Sequence, residues 1–141
     1  MDAFDADALI YAAVPRHPLG RRVLALLHPA LASGSGTPAG VGSALLLPEI
    51  LAKPLREESE AELVALVAVL GRIELRPLDE ATAQLAVALG ASYRLNALDA
   101  VHLATAVAEG ADRFVTNNRR DFGKAITEVA VTYPDELPDT G

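Results

Sequence analysis

The chain has 141 residues, with 12 Lys and Arg against 19 Asp and Glu and a formal net charge of -7, a size that suits one domain with its own core. The absence of Cys excludes disulfides and thiolate metal sites and makes a reducing cytoplasm the expected setting, and three scattered His do not form a zinc pattern. The acidic balance excludes sequence-independent coating of nucleic acid, which needs counterion release by many basic groups, but leaves room for an enzyme that holds nucleic acid through a metal and a few Arg.

In chain order, Phe4 to Ala12 is an apolar run expected as a buried strand, carrying Asp5 and Asp7 unusually early. Those charges fall where a signal peptide would be apolar, and no uncharged stretch reaches the length of a membrane span. Pro18 to Leu27 predicts a helix, with Leu19, Val23, Leu26 and Leu27 on one face and Pro29 closing it. Ser33 to Gly42 is rich in Gly and Ser and reads as a loop around a weak strand near Thr37 to Val41. It lacks the Gly-Lys-Ser/Thr ending of a phosphate-binding loop.

Ser43 is expected to start a helix through about Lys53, with Pro48 in its early turns and Pro54 ending it. Glu57, Glu58, Glu60 and Glu62 load the start of the next helix, and Gly71 stops it. Ile73 to Leu75 is a short strand. Asp79 caps a helix that Gly90 terminates, and Asn96 caps another ending at Gly110. Arg113 to Thr116 and Val129 to Tyr133 are the last strands, and residues 134–141 form a polar, loosely ordered tail. Strands alternating with helices predict an α/β sandwich on a mostly parallel sheet, in which ligands bind beyond the carboxyl ends of the strands.

Four acidic positions stand out: Asp5, Glu49, Asp99 and Asp121. Three of them lie in or beside apolar stretches, where a carboxylate is costly without a cation or hydrogen-bond donors. Such carboxylates in one small domain suggest a hard divalent cation held by oxygens. Each also has a plainer reading. Asp5 could be a strand-end carboxylate, Glu49 a solvated helix residue, and Asp99 an acidic group stabilising the helix start three residues after Asn96. Asp7 reads as a hydrogen-bonding support for its loop. Thr116 is equally a strand-end cap or a pocket hydroxyl. His102, on a face similar to that of Asp99, reads as a packed structural histidine.

The segments Phe4-Asp5-Ala6-Asp7-Ala8-Leu9-Ile10-Tyr11, Leu47-Pro48-Glu49-Ile50-Leu51, Asp99-Ala100-Val101-His102-Leu103-Ala104-Thr105-Ala106 and Phe114-Val115-Thr116-Asn117-Asn118-Arg119-Arg120-Asp121-Phe122 together resemble the PIN-domain family. They are most similar to VapC-type toxins of bacterial toxin–antitoxin pairs, in the family's order and over nearly the whole chain. The resemblance implies a single PIN-like domain over residues 1–133, built as a three-layer α/β/α sandwich. It implies a Mg²⁺- or Mn²⁺-dependent endoribonuclease with Asp5, Glu49 and Asp99 in the first three acidic positions. Many relatives place an Asp directly after Thr-Asn, where this chain has Asn118; others use the Asp before Phe, here Asp121. Asp121 is the expected fourth ligand, with Asn118 as helper.

Arg119 and Arg120 are candidate phosphate contacts beside Asp121, although exposed Arg pairs are usually just solvated. Arg16, Arg21 and Arg22 form another small basic group. The resemblance also implies an RNA substrate and a small antitoxin partner, and a homodimer is an equal expectation. A PIN-like domain that has lost cleavage and only binds RNA or a partner is the main alternative, because Asn118 brings no charge. Asp5-Ala6-Asp7 also resembles the nucleophile motif of haloacid-dehalogenase-like phosphatases, where Asp5 would attack phosphorus. That family expects Thr or Val at the position of Leu9, together with a Lys and a late acidic pair that are not evident. A phosphoacceptor receiver domain is similar in size and class, but its acceptor Asp would end the third strand.

Overall fold

The computed structural model describes residues 1–32 and 37–140, with 29–32 as backbone alone. The described residues form five strands, β1 (Asp2–Phe4), β2 (Gly40–Ser43), β3 (Glu74–Arg76), β4 (Arg113–Val115) and β5 (Ala130–Thr132). They also form six α-helices, α1 (Ala6–Ala12), α2 (Pro18–Ala32), α3 (Leu46–Arg56), α4 (Glu60–Leu70), α5 (Glu80–Tyr93) and α6 (Ala97–Ala108). The strands make one sheet in the order β3-β2-β1-β4-β5, and every pairing is parallel. Parallel strands need helical crossovers, which cover both faces of the sheet.

Side chains alternate across the strands and feed two cores. Ala3, Val41, Phe114 and Val131 join residues of α5 and α6 such as Leu89, Leu103 and Ala104. Phe4 and Val115 point the other way, into residues of α1 to α4 such as Leu9, Val23, Leu46 and Leu70. The result is the three-layer α/β/α arrangement. Gly40 lets β2 lie close to β1, since a Cβ there would come within 2.4 Å of the Asp2 carbonyl oxygen.

Several expected boundaries move. Phe4 to Ala12 is not one strand: β1 ends at Phe4, and Asp5 is the N-cap of α1, its side chain accepting the Ala6 amide. A short apolar run is ambiguous between strand and helix, and here the capping carboxylate and the buried stripe Ala8, Leu9 and Ala12 favour the helix. α2 continues past Pro29 to Ala32. Within the predicted loop, residues 33–36 lie outside the described residues, and the weak strand is β2, ending at Ser43 rather than yielding to a helix there.

α3 runs two residues beyond Pro54, whose ring is buried; a proline in the last turn removes only one intrahelical bond. Gly90 does not end α5. It lies where α5 meets α6, with the position of its Cβ 3.4 Å from the Ala100 Cβ. The stop is Arg94, in the left-handed region at φ 56°. The segment after Tyr133, expected to be loose, forms a 3-10 turn over Pro134–Glu136 with Leu137 buried behind it. Arg22 Nη1 donates to the Asp135 and Leu137 carbonyl oxygens at 3.0 and 3.1 Å, tying this segment to α2. No helix among the described residues is long and apolar enough to cross a membrane.

Candidate active site

The connection leaving β1 passes through α1 and α2 to β2 on one side, whereas β4 leads to β5 on the other. Such a switch point opens a crevice at the carboxyl ends of the strands. Asp5 and Thr116 are the residues directly after β1 and β4. Asp5 N–H donates to the Val115 carbonyl (2.9 Å) and Thr116 N–H to the Thr132 carbonyl (3.1 Å), extending the ladder to the crevice floor. Because β1 stops at Phe4, Asp5 stands beyond its carboxyl end, not near its beginning.

Asp5 is 5% exposed. Its Oδ1 accepts the Ala6 amide at 2.9 Å and its Oδ2 accepts the Thr116 hydroxyl at 2.7 Å. Burial nevertheless pushes its carboxyl above the ordinary range, with the charge of Asp99 adding to the rise. Thr116 is fully buried and its oxygen also accepts the Asn118 amide at 3.1 Å, so one hydroxyl positions both Asp5 and the loop after β4. Asp7, in the first turn of α1, accepts the Asn117 amide on both oxygens at 3.2 and 3.1 Å. Burial, then the charge of Asp5, pushes its pKa up to about 6.

Glu49 enters from the first turn of α3, with Oε1 2.6 Å from Nε2 of His102. Asp99 lies in the first turn of α6, where Asn96 caps the helix: the Asp99 amide donates to Asn96 Oδ1 at 2.8 Å and Asn96 Nδ2 donates to Asp99 Oδ2 at 3.1 Å. Burial raises the Asp99 carboxyl, and the charges of Asp121 and Glu49 raise it further while His102 opposes them. Asp121 and Asn118 form a reciprocal pair, with Asn118 Nδ2 donating to Asp121 Oδ2 at 3.1 Å and the Asp121 amide donating to Asn118 Oδ1 at 3.3 Å.

Thus Asp5, Asp7, Glu49, Asp99 and Asp121, from four separate segments, share one electrostatic neighbourhood. Asp5 and Glu49 act on Asp7, Asp99 acts on Asp5, and Asp121 and Glu49 act on Asp99. No Lys or Arg among the described residues pairs with Asp5, Asp7, Glu49 or Asp99. Nor do three His, Asp or Glu side chains among them stand as a ready-made metal cage. An all-oxygen donor set in which Asp5, Glu49 and Asp99 have no Lys or Arg partner among the described residues fits a hard divalent ion, and Mg²⁺ commonly takes one or two carboxylates directly and keeps several waters.

The two loop arginines differ. Arg120 is open to solvent, its Nε 3.8 Å from Asp121, whereas Arg119 pairs with Asp135 at 2.6 Å and lies 4.3 Å over the Tyr133 ring. Sequence reasoning undervalued two contributors. His102 bonds directly to Glu49, and its spacing from Asp99 was the available signal. Tyr11, whose hydroxyl accepts from Asn117 Nδ2 at 3.3 Å, offered no signal at all.

The sequence pattern of the PIN domain family matches residues 3–126. The chain belongs to the PIN domain family. Its broad class is therefore nuclease, and the phosphatase and receiver readings are set aside; the β3-β2-β1-β4-β5 order also differs from the 2-1-3-4-5 order of receiver-type sheets. Three solved structures share the fold of this PIN domain. A toxin–antitoxin complex from Klebsiella pneumoniae is 23% identical, covering 97% of this chain and 100% of that one, at a TM-score of 0.70. VapBC2 from Rickettsia felis, bound to a DNA fragment from its promoter, is 20% identical over 94% and 97% of the two chains, with a TM-score of 0.70. FitAB bound to an IR36 DNA fragment is 21% identical over 100% of each, with a TM-score of 0.63. Among curated proteins the sequence finds no match.

Proposed function

We propose that this PIN domain is a Mg²⁺- or Mn²⁺-dependent endoribonuclease that hydrolyses RNA phosphodiester bonds as the toxin of a toxin–antitoxin pair. The observation that carries the reading is the convergence of five acidic side chains at the switch point of the sheet, with Asp5, Asp7 and Asp99 each raised by burial and by the charge of a neighbouring carboxylate. A cation relieves that repulsion. Asp5, Glu49, Asp99 and Asp121 would hold the ion, with Asn118 able to offer a carbonyl oxygen. When bound, it polarises a phosphoryl oxygen and lowers the pKa of an attacking water.

The chain's own residues supply the frame. Thr116 and the Ala6 amide fix Asp5, and Asp7 fastens the loop after β4 to α1 through the Asn117 amide. The N-terminus of α6 brings a positive helix end to the pocket, and the exposed Arg120 can meet a phosphate of the RNA. Leu55, Val64 and Val67 lie exposed on α3 and α4, supporting an antitoxin chain that covers them. The fold's occurrence in toxin–antitoxin complexes supports the same partner. A second copy of the chain is the other occupant such a surface would suit.

One observation favours a second reading. Asn118 stands uncharged where many relatives have Asp, and its amide occupies Asp121, as in a domain that binds RNA or a partner without cleaving. Cleavage of a mixed panel of structured and unstructured RNAs, in Mg²⁺, Mn²⁺ or EDTA, separates the two. Metal-dependent cuts absent from Asp5→Asn and Asp99→Asn are the expected result. Metal binding without cleavage in partner-free protein supports the binding-only reading, and equal activity in wild type and variants refutes the assigned site.

A further inference from the structure

His102 is buried more deeply than any acidic residue of the site, and the hydrolytic reading gives it no task. Its Nε2 lies 2.6 Å from Glu49 Oε1, while its Nδ1 is buried with no hydrogen-bond partner among the described residues. An ionised carboxylate can only accept, so Nε2 is the donor to Glu49, and Nδ1 is left as a buried polar atom without a partner. Leaving a buried polar atom unsatisfied lowers stability. A leucine of similar size would fill the space without that loss, so the imidazole contributes something besides packing.

Its contribution falls on Glu49. A glutamate side chain has several rotatable bonds and stays in one place only when something holds it. His102 makes the one hydrogen bond to the Glu49 carboxylate among the described residues. The holder itself is immobile, since α6 is buried at every position from Ala100 to Ala106. The imidazole is also close enough to act on both Asp5 and Asp99, which places it among the acidic groups rather than behind them.

We propose that His102 is the positioning residue of this site, its Nε2–H fixing the Glu49 carboxylate for the divalent ion. The proposal rests on the metal-dependent reading above. Outer partners that orient a ligand commonly contribute about 10–100-fold to metal affinity. It is tested by titrating Mn²⁺ alone into the purified full chain, followed by calorimetry and electron paramagnetic resonance. Wild type, His102→Leu, His102→Gln, Glu49→Gln and the His102→Leu/Glu49→Gln pair are compared, with melting temperatures in EDTA.

His102→Leu should bind Mn²⁺ about 10–100-fold more weakly without a lower metal-free melting temperature. His102→Gln, whose amide reaches the Nε2 position, should restore most of the affinity. In the Glu49→Gln background, His102→Leu should have little further effect. Wild-type affinity in His102→Leu, or an equal loss in both backgrounds, overturns the proposal; so does a lower melting temperature with intact Mn²⁺ binding, the mark of a purely structural histidine. If His102→Leu does not fold, His102→Asn replaces it: its shorter amide cannot reach Glu49, and Mn²⁺ affinity equal to that of His102→Gln overturns the proposal. A wild-type chain that binds no Mn²⁺ refutes instead the metal-dependent reading on which the proposal rests, and does so before any variant is compared.

Discussion

Replacing Thr116 by Val keeps the shape of a fully buried side chain and removes one oxygen. That oxygen donates to Asp5 at 2.7 Å and accepts from the Asn118 amide at 3.1 Å. A hydrogen bond to a charged group contributes about 1.5–3 kcal/mol, and an amide left without its acceptor loses about 1–3 kcal/mol more. Water can reach the partly exposed Asn118 amide, so the expected total is about 3 kcal/mol. Near 60 °C a chain of 141 residues has an unfolding entropy of about 0.3 kcal/mol/K, so the melting temperature should fall by about 10 °C.

The loss should also depend on pH. Burial already raises the Asp5 carboxyl, and without the Thr116 hydroxyl it rises further. The penalty is then full where Asp5 must be ionised and shrinks as acid protonates it. Urea unfolding at pH 8 and pH 5, in EDTA, reads both effects. Thr116→Ser, which keeps the oxygen and removes one methyl, should lose only about 1 kcal/mol. A Thr116→Val loss below about 1 kcal/mol at pH 8 would refute the claim that this hydroxyl holds an ionised Asp5.

Three further outcomes follow from the same geometry. Asp7, with a native pKa of about 6 against an ordinary 3.8, contributes stability that is full below about pH 3.8 and lost as pH rises through 6. That loss is about 3 kcal/mol, so Asp7→Asn should gain on wild type between pH 4 and pH 8 in metal-free calorimetry, and parallel curves would contradict this. Saturating Mn²⁺ should raise the melting temperature of wild type, by the equivalent of about 2.7 kcal/mol at a hundred times Kd, but not that of Asp99→Asn; equal shifts would count against the site. Arg22→Ala should release the turn after Tyr133 and lower stability by about 1–3 kcal/mol, read as faster hydrogen exchange at Leu137; unchanged exchange would mean that the buried Leu137 side chain and the pairs Arg119–Asp135 and Lys124–Glu136 hold the segment without Arg22.

Much of this protein was determined by the sequence alone, because the signals concerned were local. Asp79 and Asn96 are helix caps by residue type and position, and the side chains behave that way. The alternation of elements sufficed for an α/β class, and the four acidic segments in order sufficed for the family. The errors were local too. Gly90 and Pro54 carry stop signals that tertiary burial overrides, and Phe4 to Ala12 could not be divided until the Asp5 side chain was seen to cap α1. The gathering of the acidic groups belongs to the tertiary structure. Asp5 and Asp121 are far apart in the chain, and only the β1–β4 pairing places the residues after both strands at one crevice. Nothing in the spacing of Glu49 and His102 shows that they touch; α3 and α6 feed the two different cores on opposite faces of the sheet, and the Glu49–His102 bond joins them. Caps and periodicity are set by near neighbours along the chain, whereas a site is set by which strand ends lie side by side.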